Sequence, residues 1–345
     1  MSVKKGKVLS FGELLLRICP DVNGEWLQQN NLPFYVGGAE ANVATALALW
    51  DISSAYMSAA PDNLFSQQIV GYLKQQRVDV SKMLFQGERL GLYFLPKGKD
   101  LKNAGVIYDR KYSSFSNLKP GTIDWDAILS DVSWFNFSAI SPAINAQVAE
   151  VCKEAVIAAS RKNITVSVDL NYRAKLWQYG KQPHEVMPEL ITYCDVVMGN
   201  IWAAEKMLDI AVDKSIGAGN SKEEYLEQAR ITSEAILSKF PKVQTVANTF
   251  RFDYNETGIR YYTTLYNNNR LYVSDEYVAD KIVDKVGSGD CFMSGIIRGL
   301  YLEQPEQELL NFATAAAYQK LFIESDATTK TVSQIEQDRI AYAKK

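Results

Sequence analysis

The chain has 345 residues, of which 47% are hydrophobic and 22% are charged, and its formal net charge at pH 7 is −3. These proportions are typical of a globular protein with a large buried core. The slightly acidic balance argues against a nucleic-acid-binding protein, which needs a strongly basic surface. The length permits two or three domains, or one α/β domain with an appended piece.

The start of the chain and its cysteines predict a cytoplasmic protein. Residues 1–5 lead directly into a strand-like run with no apolar signal segment. No stretch of the sequence is apolar for long enough to span a bilayer. The four cysteines form no Cys-x-x-Cys pair and have no zinc-finger spacing. We therefore expect a reduced, soluble protein that does not bind membranes.

Predicted strands and helices alternate along most of the chain. The predicted strands lie at 8–12, 14–18, 90–96, 104–108, 134–140, 164–169, 195–198, 243–246, 260–265 and 270–273. The predicted helices start near 43 and span 63–77 and 144–162, and a turn at 97–100 joins two of the strands. From about residue 130 the order is strand, helix, strand, which is typical of a parallel sheet covered by helices on both faces.

The strongest local signal is Gly287-Ser288-Gly289-Asp290, which opens a predicted helix. The two glycines allow a tight turn with outward N–H groups, and the helix adds its positive end, so the run predicts an anion hole for a phosphoryl group. A carboxylate beside that anion can take a proton from a hydroxyl nucleophile. Taken alone, the run fits a glycine turn with an aspartate N-cap equally well.

A second signal lies near the start of the chain, where Gly37 and Gly38 precede Asn42 and a predicted helix. Paired glycines let a ligand approach the backbone, and Asn42 offers both a donor and an acceptor. Taken alone, this run is better explained as a flexible turn before a helix. The single histidine, His184, lies in a polar segment that predicts a surface loop, so we expect any general base to be a carboxylate.

The two runs, in this order, resemble those of the ribokinase-like (PfkB) carbohydrate kinases. That family has a Gly-Gly…Asn run near its N-terminus and an Asp-x-x-Gly-x-Gly-Asp run near its C-terminus, which residues 284–290 match here. The resemblance covers nearly the whole chain. It implies one kinase domain over 1–345 with a ribokinase-like three-layer αβα sandwich, a mainly parallel central sheet and a small β-sheet lid. The lid would come from approximately 13–37 and 90–112.

The same resemblance implies ATP-dependent phosphorylation of a sugar hydroxyl. Asp290 would act as general base, Gly287, Ser288 and Gly289 would form the anion hole, and Mg²⁺ would bridge the phosphates. A monovalent cation near Asp284 is a further expectation. The lid would close over the sugar and join copies of the chain into a homo-oligomer.

Three segments, at 91–94, 108–110 and 169–177, resemble 2-keto-3-deoxygluconate kinases, in which matching tyrosines and arginines hold a sugar acid. Arginines can grip a carboxylate bidentately, which a neutral sugar does not require. Arg173 also follows a central strand, where it could touch phosphate instead. The expected substrate-binding residues are Gly37, Gly38, Asn42, Tyr93, Tyr108, Arg110, Arg173 and Asp290.

The nucleotide side departs from the family pattern in two places. The usual Asn-x-x-Glu begins at Asn200 but has Ala203 in place of the glutamate, and Glu205 lies two positions further on. The usual Thr-x-Gly-x-x-Gly begins at Thr249, lacks both glycines and contains Arg251. We therefore assign no metal ligand. The expected nucleotide-binding residues are Asn171, Arg173, Asn200, Thr249, Arg251, Gly287 and Gly289.

Two alternatives stay open beside a sugar-acid kinase. One is a fructokinase or ribokinase type of enzyme that acts on a neutral sugar. The other is a sugar-binding or regulatory protein of the same fold with little catalysis, which the altered segments at 200–203 and 249–253 suggest. A nicotinamide-dependent dehydrogenase would need Gly-x-Gly-x-x-Gly after the first strand, and residues 11–15 do not supply it.

Overall fold

A computed structural model describes residues 6–20, 30–96, 105–217 and 219–342. The strands are β1 Lys7–Phe11, β2 Leu15–Ile18, β3 Phe34–Gly37, β4 Ser54–Met57, β5 Ala59–Ala60, β6 Leu84–Phe85, β7 Gly91–Phe94, β8 Ile107–Asp109, β9 Val132–Ser138, β10 Thr165–Asp169, β11 Val196–Gly199, β12 Thr245–Asp253, β13 Ile259–Asn267, β14 Arg270–Val273 and β15 Tyr277–Ala279. The helices are α1 Ala39–Leu49, α2 Leu64–Gln75, α3 Trp125–Ile128, α4 Ala146–Arg161, α5 Pro183–Ile191, α6 Ile201–Leu208, α7 Lys222–Lys239, α8 Ser288–Tyr301, α9 Glu306–Lys320 and α10 Val332–Tyr342.

The large sheet has the strand order β14-β13-β12-β11-β10-β9-β1-β4, with β15 also paired to β13. Strands β4, β1, β9, β10, β11 and β12 are parallel, and the β13 pairings are antiparallel. The parallel strands are rich in Val, Phe and Met and largely buried, as expected where helices cover both faces. Their carboxyl ends therefore meet at one edge of the sheet.

Helices cover both faces of this sheet. One apolar core contains residues of α4, α5 and α6, and a second contains residues of α1, α8 and α9. Helices α8 and α9 pack closely because Gly295 leaves room for Ala313, whose Cα would lie 2.5 Å from an added Cβ. The expected three-layer αβα architecture is confirmed. In the described part of the chain, no helix is long and apolar enough to cross a membrane.

A separate small sheet has the order β3-β2-β7-β8. Strand β2 runs antiparallel to β3 and parallel to β7, and β7 runs antiparallel to β8. Its strands come from the two segments expected to form the lid. Residues 21–29 of the first segment and 97–104 of the second, with the predicted turn at 97–100, lie outside the described residues.

Strand β12 is longer than the sequence pattern predicts. The sequence pattern predicts a strand over 243–246, but β12 runs to Asp253 and stays paired with β13 to the register Asp253↔Ile259. The chain therefore continues as a paired strand through the positions where the family pattern has glycines. This explains why the segment after Thr249 contains no glycines, since a glycine weakens a strand interior.

Candidate active site

A cleft opens at the carboxyl edge of the large sheet, beside the small sheet. Ligands of open α/β sheets bind at this edge. The first turns of α1 and α8, the segments after β10 and β11, and residues of the small sheet all line it. The predicted site residues that line the cleft are Gly38, Asn42, Tyr93, Tyr108, Arg110, Asn171, Arg173, Asn200, Thr249, Arg251, Gly287, Ser288, Gly289 and Asp290.

Gly37 is the one predicted site residue that does not line the cleft. It ends β3, and a Cβ added to it would lie 2.8 Å from Oδ2 of Asp326. Gly37 therefore makes room for a buried carboxylate. Gly38 does line the cleft, and its φ of +124° lies in the region that favours glycine. A Cβ on Gly38 would also lie 2.4 Å from the carbonyl oxygen of Glu13.

The predicted anion hole corresponds to the loop before α8. Gly287 has φ +79°, and a side chain there would collide with the carbonyl oxygen of Asp326. The N–H groups in the first turn of an α-helix have no carbonyl partner within the helix, and the helix dipole makes that end positive. The loop residues up to Asp290 line the cleft, so this positive end faces it.

Asp290 lies in the first turn of α8 with its side chain largely buried. Its Oδ2 accepts a hydrogen bond from Nδ2 of Asn42, in the first turn of α1, at 2.7 Å. Burial raises the pKa of Asp290 to about 6, against the Asn42 hydrogen bond and the charges of Arg173 and Lys320, which lower it. At pH 7 the carboxylate is therefore mostly ionised and can accept a proton.

Three further buried carboxyl groups, those of Glu13, Glu40 and Asp169, line the cleft, and sequence reasoning missed all of them. Oε1 of Glu40 accepts hydrogen bonds from the N–H and Oγ of Ser138 at 2.8 and 2.7 Å, and burial raises its pKa to about 7. Asp169 ends β10, and burial together with the charge of Asp290 raises its pKa to about 7. Glu40 lies within the 37–42 run and Asp169 ends a predicted strand, so the signal was present in the sequence.

The sugar-side arginine of the prediction, Arg110, is already paired. Its Nε and Nη2 each lie 2.5 Å from Oε2 of Glu13, which sequence reasoning also missed. The other oxygen of Glu13 accepts from Oγ of Ser113. Glu13 and Arg110 are both buried. A Cβ added to Gly91 would lie 2.3 Å from Oε1 of Glu13, so the glycine leaves room for this carboxylate.

At the nucleotide end, Asn200 caps α6, since its Oδ1 accepts from the N–H of Ala203 at 2.9 Å. Arg251 reaches from β12 towards α8, and its Nη1 lies 3.5 Å from Oγ of Ser288. Tyr261 stands opposite Arg251 on β13 and also lines the cleft. In the described part of the chain, the buried hydroxyl of Tyr261 has no hydrogen-bond partner.

Two remaining predictions concern groups outside the cleft lining. Asp284 is fully buried, its Oδ2 accepts from Nη2 of Arg17 at 2.7 Å, and its Oδ1 accepts from the N–H of Val286 at 3.0 Å. The guanidinium of Arg17 is thus a cationic group that pairs with Asp284, and the monovalent cation expected there stays a prediction. His184 is exposed in the first turn of α5 rather than in a loop.

Comparison with known proteins defines a carbohydrate kinase. The chain matches the pfkB family carbohydrate kinases over residues 5–330. It is 25% identical over 330 residues to a 2-dehydro-3-deoxygalactonokinase of Haloferax volcanii, covering 96% of this chain and 95% of that protein. It is 26% identical over 310 residues to fructokinase-2 of Solanum lycopersicum, covering 87% and 83%.

A solved structure gives the same result. The crystal structure of 2-dehydro-3-deoxygluconokinase from Thermotoga maritima is similar with a TM-score of 0.87 and 32% identity, covering 97% of this chain and 99% of that one. The chain therefore belongs to the PfkB family of carbohydrate kinases, which confirms the family predicted from its two glycine runs.

Replacing Asn42 by leucine removes the hydrogen bond from Nδ2 of Asn42 to Oδ2 of Asp290. Because this bond stabilises the ionised carboxylate, Asn42→Leu should raise the pKa of Asp290. Activity that needs the ionised base falls as the pH drops through that pKa, so the acidic limb of kcat/KM, near pH 6 in the wild type, should move upward by about one pH unit. Steady-state pH profiles measure this shift.

Thr45→Val serves as the matched control, because Thr45 lies one turn further along α1 and its hydroxyl bonds only the carbonyl of Ala41 among the described contacts. Its acidic limb should coincide with that of the wild type. An Asn42→Leu limb that stays in place or moves to lower pH contradicts the assignment of Asp290 as the titrating base.

Proposed function

We propose that the protein phosphorylates the terminal hydroxyl of a sugar acid with ATP, and that the sugar acid is 2-keto-3-deoxygluconate or a close relative. The observation that carries the proposal is the buried Asp290 carboxylate at the positive end of α8, in a cleft that three arginines also line, two of them, Arg110 and Arg173, on the predicted sugar side. Similar proteins named for 2-dehydro-3-deoxy sugar acids support this substrate class.

The proton and the phosphoryl group are handled by adjacent parts of one loop. The sugar hydroxyl would approach the γ-phosphorus in line, with Asp290 taking its proton. The N–H groups of Gly287, Ser288 and Gly289 would stabilise the charge on the transferring group. The small sheet would act as the lid, and its closure would exclude water, which competes with the sugar as acceptor.

Carbohydrate kinases of this family use ATP with Mg²⁺. Among the described residues, no group of three or more His, Cys, Asp or Glu side chains is placed to hold a metal ion. Glu205 lies against Lys206 and does not line the cleft, so it does not replace the missing glutamate. This donor set fits Mg²⁺ carried on the phosphates with several waters, with Asp169 as a cleft carboxylate that could hold one of them. The ion would neutralise phosphate charge.

The charge pattern of the cleft bears on the substrate. Arg173 enters from the segment after β10, and its charge is close enough to lower the pKa of both Asp169 and Asp290. Arg110 enters from the small sheet together with Glu13, which compensates its charge. Arg173 is therefore the arginine whose charge is better available to a substrate carboxylate.

Arg173→Gln tests the substrate class. With a sugar panel, ATP and Mg²⁺, the wild type should consume ATP with 2-keto-3-deoxygluconate in preference to fructose or ribose. Loss of one charge-assisted contact should raise KM for the sugar acid by about tenfold or more, with KM for ATP changed by less than about twofold. Coupled assays of ADP formation measure both constants.

The control is Lys181→Gln, which removes an exposed cation outside the cleft and should change neither constant. A rise in KM for ATP instead of the sugar acid would assign Arg173 to phosphate. No ATP consumption with any sugar acid would refute the substrate proposal.

A neutral-sugar kinase is the second candidate, and the pairing of Arg110 with Glu13 is the observation that favours it. A compensated arginine donates hydrogen bonds to hydroxyl groups without demanding a negative partner. The sequence similarity to a fructokinase fits this reading. In the same panel, this candidate predicts turnover of fructose or ribose and none of the sugar acids.

The lid is also the proposed interface of a homo-oligomer. Its edge strands carry the half-exposed side chains of Phe34 on β3 and Ile107 on β8. Large apolar side chains on exposed edge strands favour pairing with another copy of the sheet. The oligomer is a proposal that follows from these two positions.

Tyr261 and Arg251 are proposed to hold the nucleotide phosphates. They are cross-strand partners on β13 and β12 and line the cleft, and Arg251 approaches the first turn of α8. A buried hydroxyl without a partner is costly, and a phosphate oxygen would satisfy it. This contact would supply part of the phosphate binding that the family pattern assigns to a glutamate at position 203 and to glycines after Thr249.

Tyr261→Phe should raise KM for ATP several-fold and leave KM for the sugar unchanged, because it removes one donor to phosphate. Tyr262→Phe is the matched control. The adjacent tyrosine also has a buried hydroxyl without a partner in the described structure, but it packs with Tyr225 and Phe250 away from the cleft. Equal constants for Tyr261→Phe and wild type would exclude the phosphate contact.

A further inference from the structure

A group of buried charges lies directly behind the loop that precedes α8. Arg17, Asp284 and Asp326 are almost completely inaccessible to solvent. Nη2 of Arg17 donates to Oδ2 of Asp284 at 2.7 Å, and its Nε lies 2.8 Å from Oδ1 of Asp326. Tyr93 donates from its hydroxyl to Oδ2 of Asp326 at 3.0 Å. These four residues are called the Arg17 network here.

The network fixes the loop at two points. Asp284, besides binding Arg17, accepts a hydrogen bond from the N–H of Val286, which shapes the turn into Gly287. The carboxylate of Asp326 pairs with the Nε end of Arg17. The main-chain carbonyl oxygen of Asp326 lies so close to Gly287 that no side chain would fit there. The loop backbone that would stabilise the transferring phosphoryl group is therefore held in place by contacts with Asp284 and Asp326, whose carboxylates pair with Arg17.

The network also joins the loop to the small sheet. Arg17 is on β2 and Tyr93 is its register partner on β7, so both belong to the small sheet. Val286 of the loop packs in one apolar cluster with Leu15 and Tyr93. The guanidinium of Arg17 further lies over the ring of Tyr35 on β3, 4.9 Å from its centroid. Movement of the small sheet would thus be transmitted to the loop.

Arg17 is the charge that makes this arrangement possible. Without it, Asp284 and Asp326 would be two buried carboxylates near each other, which costs free energy unless a cation compensates them. Burial lowers the pKa of the nearby Lys320 below its usual value, and the charges of Asp284 and Asp326 oppose that shift only in part. Its Nζ, however, donates to the carbonyl of Ile323.

We propose that Arg17 is a positioning residue for phosphoryl transfer. Its guanidinium holds the 284–289 loop in its working shape and ties that loop to the small sheet, so turnover needs no added monovalent cation. The inference rests on the proposed reaction at Asp290. It also replaces the expectation of a monovalent cation near Asp284 with a residue of the chain itself.

The first test uses the wild-type protein and its best sugar. Turnover in potassium buffer and in tetramethylammonium buffer of equal ionic strength should agree within about twofold, since the required cation is built in. If the wild type turns over no sugar in either buffer, the proposed kinase function fails. If it turns over sugar only with potassium, the proposal for Arg17 fails. A wild type that loses most of its activity without potassium would overturn the proposal.

The second test is chemical rescue of Arg17→Ala. A displaced loop should lower kcat by about a hundredfold while KM for sugar and ATP change little, because a misplacement of about 1 Å has that effect on rate. Guanidinium ions at concentrations far below those that unfold proteins should restore at least a tenth of the lost activity, and tetramethylammonium should not. Circular dichroism checks that the variant is folded.

A folded Arg17→Ala protein with wild-type kcat, or one whose lost activity guanidinium does not restore, would overturn the positioning role. If Arg17→Ala does not fold, Arg17→Lys decides the matter, because it keeps the charge but loses the fork that reaches both carboxylates. A kcat lowered at least tenfold with unchanged KM then supports the proposal. An unchanged kcat overturns it.

Discussion

The side chain of Asp290 and the backbone amides beside it occupy the same turn of α8, and this coincidence imposes most of the other constraints on the site. The amides face the cleft because Gly287 takes a left-handed conformation that only a residue without a side chain fits against Asp326. The carboxylate is buried, which raises its pKa to about 6, and the hydrogen bond from Asn42 limits that rise. The proposed base and the proposed anion hole thus come from four consecutive residues.

Burying charge costs free energy both in this cleft and behind it, and the buried carboxylates named next each have a specific partner. Glu13 is met by Arg110, Asp284 and Asp326 by Arg17, and Glu40 by the N–H and hydroxyl of Ser138. Glycines stand at positions where a side chain would displace these carboxylates, as Gly12 does for Glu40 and Gly91 for Glu13. The glycine positions and the pairing of distant charges therefore favour the same arrangement of the buried carboxylates.

Sequence patterns were sufficient for the family, the three-layer fold and the residues that follow the strand ends, because these depend on local signals repeated along the chain. They were not sufficient for Glu13, Arg17 and Asp326. Arg17 meets Asp284 across 267 positions, Tyr93 meets Asp326 across 233, and Arg110 meets Glu13 across 97. Such pairs are set by how distant segments of the chain come together in the fold. No local pattern contains them.

The most direct measurement of the central claim compares Asp290→Asn with the wild type in turnover and in sugar binding. Loss of the base should lower kcat by about 10²–10⁴-fold, while calorimetry finds sugar affinity within a few-fold. The unfolding midpoint at pH 7 should not fall, because burial disfavours the ionised carboxylate that the amide replaces. A variant that keeps kcat within tenfold of the wild type would contradict the assignment of Asp290 as the base.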